Sequence, residues 1–140
     1  MIYLLDTNVI SELRPMRARE PHPSVVHWFR SVPETVLHLS SITIFELELG
    51  ALQAQRRDLP KGRALRTWID DHVIPTFHER VLPIDLEVAQ RCAALHLEAT
   101  RSERDAFIAA TALVHNMTVV TRNTADFAPT GVSTLNPWQA

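Results

Sequence analysis

Ile2-Tyr3-Leu4-Leu5-Asp6-Thr7-Asn8-Val9-Ile10-Ser11-Glu12-Leu13 contains the change of period that decides the fold. A short apolar run, long enough for one buried strand, stops at Asp-Thr-Asn, and a helical run from Val9 to Leu13 follows. The pattern returns along the chain. Val36-Leu37-His38-Leu39-Ser40 is a second strand, followed by a helix from Thr43 to Gln55 with apolar residues on two faces. Thr118-Val119-Val120-Thr121 is the clearest strand of all. Val81-Leu82-Pro83-Ile84 is a weaker one, because proline limits its pairing, and Val132-Ser133-Thr134-Leu135 reads as an edge strand. Further helices are expected over 24–31, from Pro60 to about Val73 with an end before Pro75, over 85–99 and over 105–115. The last is apolar nearly all round and should be deeply buried. Residues 15–23, with three prolines, read as a loop. Strands alternating with helices specify an α/β fold with a mostly parallel sheet.

The 140 residues fit one domain spanning 1–140. A hydrophobic content of 46% supplies a core, and 21% charged residues exclude a disordered chain. No apolar run reaches the length of a membrane span and no signal-peptide pattern opens the chain, so a cytoplasmic protein without membrane association is expected. Cys92 is the single cysteine, which excludes an internal disulfide; its amphipathic surroundings make it a small buried hydrophobe. The three glycines make no phosphate-cradling loop.

In an open parallel sheet, ligands bind beyond the carboxyl ends of the strands. Asp6 follows the first strand. Glu46 lies in the first turn of the helix after the second. Asn123 and Asp126 follow the Thr118–Thr121 strand, and Asp105 starts the helix that returns to it. Four acids from distant segments therefore converge on one rim. Neighbouring carboxylates repel, more so when buried, and a divalent cation relieves that repulsion. Oxygen ligands without paired His or Cys select Mg²⁺ or Mn²⁺ over Zn²⁺.

Each acid also has a local explanation. Thr43-x-x-Glu46 has the form of a capping box, and Ser102-x-x-Asp105 resembles one. Asp6 or Thr7 would serve as an N-cap, and Asn123 would cap a turn containing Asp126. Coincidence on one sheet edge favours a site over four unrelated caps. The remaining features are weaker. No His pair has zinc spacing, Ser40 and Ser41 read as strand-end and capping residues, and Trp28, Trp68 and Trp138 read as core or interface anchors before base-stacking groups. Arg14, Arg17 and Arg19, and Arg101, Arg104 and Arg122, flank the acids and are candidate phosphate contacts. A net charge of −2 argues against a strong nonspecific nucleic-acid binder, yet permits a nuclease whose acids sit in a metal site.

The segment Leu4–Leu13 resembles the opening motif of a PIN domain. Ser41-Ile42-Thr43-Ile44-Phe45-Glu46-Leu47 with Gly50 resembles the second motif, Asp105–Ala112 the third, Val120–Phe127 the fourth, and Asn136-Pro137-Trp138 a common ending. The resemblance covers essentially the whole chain in the right order, and within the superfamily it is closest to VapC- and FitB-type toxins. It implies a three-layer α/β/α sandwich and an Mg²⁺- or Mn²⁺-dependent ribonuclease of a type II toxin–antitoxin system. The substrate would be RNA, often tRNA or rRNA. A VapB-type antitoxin would be the cognate partner, with homodimerisation and DNA association through the antitoxin. Asp6 and Asp105 carry over as metal ligands and Glu46 as the third acid. Asn123 and Asp126 share the fourth position, with Asp126 favoured as the acid and Asn123 as a neutral helper. Thr7, Asn8 and Thr121 would orient the carboxylates. Glu48 stands where the family has a basic residue.

The expected reaction is in-line attack on phosphorus by metal-activated water, with no need for the RNA 2′-hydroxyl. The alternative is a non-catalytic module that pairs with an antitoxin in a DNA-bound repressor complex, its acidic rim docking a basic side chain. A phosphatase using Asp6 as nucleophile lacks the second Asp of a D-x-D start.

Overall fold

The computed structural model describes residues 1–15, 19–99 and 101–140. β1 (Tyr3–Leu5) leads through Asp6 into α1 (Thr7–Glu12), and α2 (Pro23–Ser31) and a 3-10 turn precede β2 (Leu37–Ser40). α3 (Ser41–Arg57) and α4 (Leu59–Trp68) form a hairpin that continues through a π turn (Ile69–Val73) into α5 (Ile74–Phe77) and then β3 (Val81–Leu82). A second hairpin, α6 (Leu86–Glu98) and α7 (Glu103–His115), returns the chain to β4 (Thr118–Val120), followed by α8 (Thr124–Phe127) and β5 (Thr134–Leu135).

The strands lie in the order β3-β2-β1-β4-β5, and every pairing is parallel. The chain steps outward from β1 to β3, then crosses back to place β4 on the other side of β1. The strand order therefore reverses between β1 and β4, where an open α/β sheet offers a crevice.

Side-chain alternation along these two strands builds both cores. Leu4 is level with Val119, and Leu5 with Val120. Leu4 and Val119 are buried with Val88, Leu95, Ile108 and Phe127 of the α6–α8 layer. Leu5 and Val120 are buried with Val25, Trp28, Leu47, Ile69 and Phe77 of the α1–α5 layer. A sheet apolar on both faces needs a helical cover on each, and the result is the expected three-layer α/β/α sandwich. α7 is buried from Ala106 through Ala112 except at Phe107, as its composition predicts. Trp28 is a core residue, edge-on to Tyr3 at 5.2 Å between ring centroids. Cys92 is buried in the α6–α7 core, and burial pushes its thiol up. Among the described residues no helix is long and apolar enough to cross a membrane.

Of the boundaries that differ from the sequence reading, two have a plain physical cause. α1 starts at Thr7, two residues early, because Asp6 caps it and accepts the Thr7 N–H. The helix expected to end before Pro75 instead runs through it. Ile74 N–H bonds to Ile69 O, five residues back, and the wider π turn spares the clash a proline ring makes with the carbonyl four residues before it.

The α3–α4 hairpin is tight at Gly62, where a Cβ would lie 2.4 Å from the backbone nitrogen of Gln55. An ion pair between Glu48 of α3 and Arg66 of α4 ties the same hairpin, and Arg66 also reaches Asp70 at 3.5 Å.

Because Ile108 is fully enclosed by the core of the α6–α8 layer, Ile108→Ala should cost about 2–5 kcal/mol in urea unfolding. Leu97→Ala, at a side chain 89% exposed, should stay within about 0.5 kcal/mol of the parent.

Candidate metal centre

Asp6 extends β1 by one ladder bond, its N–H reaching Val120 O at 2.9 Å. Asp6 as a whole is only 6% exposed. Oδ1 accepts the Thr7 N–H at 2.8 Å. Oδ2 accepts the Thr121 hydroxyl at 2.7 Å and the Asn8 amide at 3.3 Å. Thr121 directly follows β4 and is fully buried, so its hydroxyl joins the carboxyl ends of two adjacent strands at the point of reversal. The frame closes through Asn8, whose Oδ1 accepts the Arg122 N–H at 3.4 Å, and through Asn123, whose N–H donates to Thr121 Oγ at 3.0 Å.

Glu46 is placed differently from the capping-box expectation. Ser40, not Thr43, caps α3, and its hydroxyl accepts the Ile42 N–H at 3.1 Å. Glu46 therefore lies in the second turn, with no capping duty. The Thr7 hydroxyl holds its Oε1 at 2.9 Å. Thr43, fully buried one turn earlier on the same face, backs Thr7 with a hydroxyl contact of 3.1 Å. Arg104 Nη1 reaches Glu46 Oε2 at 3.5 Å while its guanidinium lies over the Phe45 ring, 5.2 Å from the centroid.

Asp105 occupies the first turn of α7. Ser102 caps that helix as the spacing predicts, its hydroxyl accepting the Asp105 N–H at 3.5 Å. The Asp105 carboxylate itself is half-buried and takes no part in the cap. Asp126 is exposed in α8. Asn123 precedes α8 but makes no side-chain capping bond there, which corrects its reading as a cap.

Electrostatics link the four acids. Burial raises the Asp6 pKa to about 6 against the opposing bonds from Thr121 and Thr7, and the charges of Asp105 and Glu46 push in the same direction. Burial also raises Asp105, helped by Asp126 first and then Glu46. Among the described residues no Lys, Arg or His pairs with Asp6 or Asp105. The donors are all oxygens and leave excess negative charge uncompensated, which fits a hard divalent cation. Among the described residues no three carboxylate, His or Cys groups form a ready-made ligand cage, so the acids stand as an open rim.

A cleft of about 480 Å³ adjoins Glu46 between α1 and the α3–α4 hairpin. Arg14 and Arg104, two of the arginines singled out by sequence, line it, and Arg57 and Lys61 were missed. Their joint placement requires the hairpin, which no local pattern announces. Of the other arginines, Arg19 pairs with Glu12 at 3.7 Å, Arg101 donates to Ala99 O, and Arg122 lies over Trp138. Arg17 lies outside the described residues. Glu48, where a basic residue was expected, serves the α3–α4 ion pair.

Residues 3–131 match the PIN domain model. The chain is 38% identical to VapC ribonuclease Y4jK of Sinorhizobium fredii, covering 97% of each sequence. It is 39% identical to toxin FitB of Neisseria gonorrhoeae, covering 96% of this chain and 97% of FitB. Among solved structures it superposes on FitAcB from Neisseria gonorrhoeae with a TM-score of 0.89 at 36% identity, covering 99% of this chain and 100% of the other. With four acids on the carboxyl rim of a β3-β2-β1-β4-β5 parallel sheet and a family match across nearly its whole length, the chain belongs to the PIN-domain family.

Proposed function

We propose that this protein is an Mg²⁺- or Mn²⁺-dependent ribonuclease and the toxin of a VapB–VapC type pair. It acts in the cytoplasm as a homodimer, is held in check by a cognate antitoxin, and associates with DNA only through that antitoxin. The observation that carries the reading is Asp6, a buried carboxylate without a cationic partner among the described residues, beside Asp105 and Glu46. The names of its relatives, a VapC ribonuclease and a toxin, support the same reading. A rim used only to dock a basic side chain gains nothing from desolvating Asp6 and bracing it with Thr7, Asn8 and Thr121.

Asp6, Glu46, Asp105 and Asp126 are the residues that would hold the cation. When bound, Mg²⁺ or Mn²⁺ supplies the Lewis acidity that makes water nucleophilic near neutral pH and offsets the charge of the phosphate. The protein's part is preorganisation. Thr121 and Asn8 fix one oxygen of Asp6, and the Thr7 N–H fixes the other. The Thr7 hydroxyl orients Glu46 from the same turn. Coupling of the carboxylates to protons sets the pH dependence, since cation and proton compete for Asp6.

Asp6→Asn and Asp105→Asn should abolish cleavage of RNA in Mg²⁺ or Mn²⁺ while circular dichroism stays native. EDTA should silence the parent protein. Full metal-dependent activity in purified Asp6→Asn would sink the scheme. At the fourth corner, Asp126→Asn should lower activity by roughly 10–100-fold, the usual range for groups supporting a metal site, and Asn123→Ala should lower it much less. A larger loss in Asn123→Ala would reverse the two roles.

The raised pKa of Asp6 also fixes the sign of a stability effect. Between its ordinary value of 3.8 and about 6, the folded state binds more protons than the unfolded chain, so stability falls as pH rises through that window. In metal-free buffer the parent should lose at most about 3 kcal/mol from this source between pH 4 and pH 6.5. Asp6→Asn should lack that part of the slope in urea titrations, and added Mg²⁺ should restore stability only above the window. Parallel slopes in the two proteins would contradict the assignment.

A further inference from the structure

The cleft beside Glu46 has the opposite electrostatic character to the rim it joins. Four cations, Arg14, Arg57, Lys61 and Arg104, face two carboxylates, Glu46 and Asp58, in a chain whose net charge is −2. Asp58 is engaged as the cap of α4, accepting the Lys61 N–H. Arg57 and Lys61 are exposed, and among the described residues neither side chain has an ion-pair partner. Surface cations are usually paired or scattered; these are concentrated in one concave channel. The channel runs from the end of α3 to Glu46.

Arg104 stands at the junction. It is bound to Glu46 only at 3.5 Å, is half-exposed, and is carried on the residue preceding Asp105. Its guanidinium also lies over the Phe45 ring, a contact that uses none of its N–H donors. The planar guanidinium fork suits bidentate contact with phosphate.

We propose that the channel between α1 and the α3–α4 hairpin is the track of the RNA strand on the Glu46 side of the scissile bond. Arg57 and Lys61 bind backbone phosphates along it. Arg104 exchanges its Glu46 contact for the phosphate next to the one cleaved, which frees Glu46 for the cation. The proposal rests on the ribonuclease reading, since it assigns the strand's path through that site.

The test measures binding of a fluorescein-labelled 12-nucleotide single-stranded RNA by anisotropy, in EDTA and in the Asp6→Asn background, over a range of salt. Binding then reads the channel without cleavage. Arg57→Met/Lys61→Met should weaken binding and flatten the plot of log K against log salt by about 0.7 for each phosphate no longer neutralised. Arg104→Met should flatten it by one such step, with partial rescue by Arg104→Lys. Arg91→Met on α6, which removes the same charge far from the channel, should leave affinity and slope unchanged. In otherwise wild-type protein with Mg²⁺, Arg57→Met/Lys61→Met should raise KM and spare kcat, and Arg104→Met should lower kcat/KM through both. Unchanged affinity and slope in the channel variants, or equal loss in Arg91→Met, would overturn the proposal. The first outcome would leave a protein ligand as the channel's occupant. Failure of the wild-type protein to cleave RNA in any divalent metal would instead fail the ribonuclease reading, which the metal-free binding data separate from the channel.

Discussion

The 2.7 Å hydrogen bond from Thr121 to Asp6 is the interaction on which the rest of the site depends. It connects the residues that follow β1 and β4, the two strands between which the sheet reverses its order. A carboxylate at that point has backbone on both sides and core beneath it, so burial works against its charge. The donors around it are neutral hydroxyl, amide and peptide groups. They direct the lone pairs without supplying a positive charge. The fold therefore positions a carboxylate and leaves its charge unmatched, the condition under which a cation gains most by binding.

The other acids are placed by helices, and each helix does so in its own way. α3 follows β2 with no intervening residue and takes its cap from the last residue of the strand. α7 starts with a serine cap and presents Asp105 in its first turn, where the helix dipole favours a negative charge. α8 is a single short turn and leaves Asp126 in solvent. Burial thus grades from Asp6 through Asp105 to Asp126. The innermost carboxylate carries the strongest perturbation, and the outermost sits where a substrate could approach.

The central strands were legible because Leu4-Leu5 and Val119-Val120 are apolar at consecutive positions, which only a sheet covered on both faces requires. The positions of Asp6 after β1 and of Asp105 in the first turn of α7 were legible from topology and motif together. Glu46 was found, but with the wrong local account. Ser40, Ser41 and Thr43 all offer caps, and only the backbone shows that Ser40 takes the role. Pro75 misled because a proline ends an α-helix in isolation, while a π turn sustained by packing of Ile69, Val73 and Phe77 carries the chain past it. Arg57 and Lys61 were illegible for a different reason. Their significance lies in lining one cleft with Arg104, which comes much later in sequence, and that shared lining depends on the α3–α4 hairpin and on α7 packing against α3.

The direct passage from β2 into α3, with no loop between them, has a consequence for how such a chain can vary. A helix turns by about 100° per residue, and nothing between Ser40 and Glu46 can absorb a change of length. One inserted residue in that stretch would swing Glu46 away from Thr7 and bring an apolar neighbour to the rim. Length variation is more tolerable at Arg19 and Glu20, which are exposed and lie outside every helix and strand. The carboxyl edge of the sheet therefore fixes the numbering of its acids as firmly as their identity.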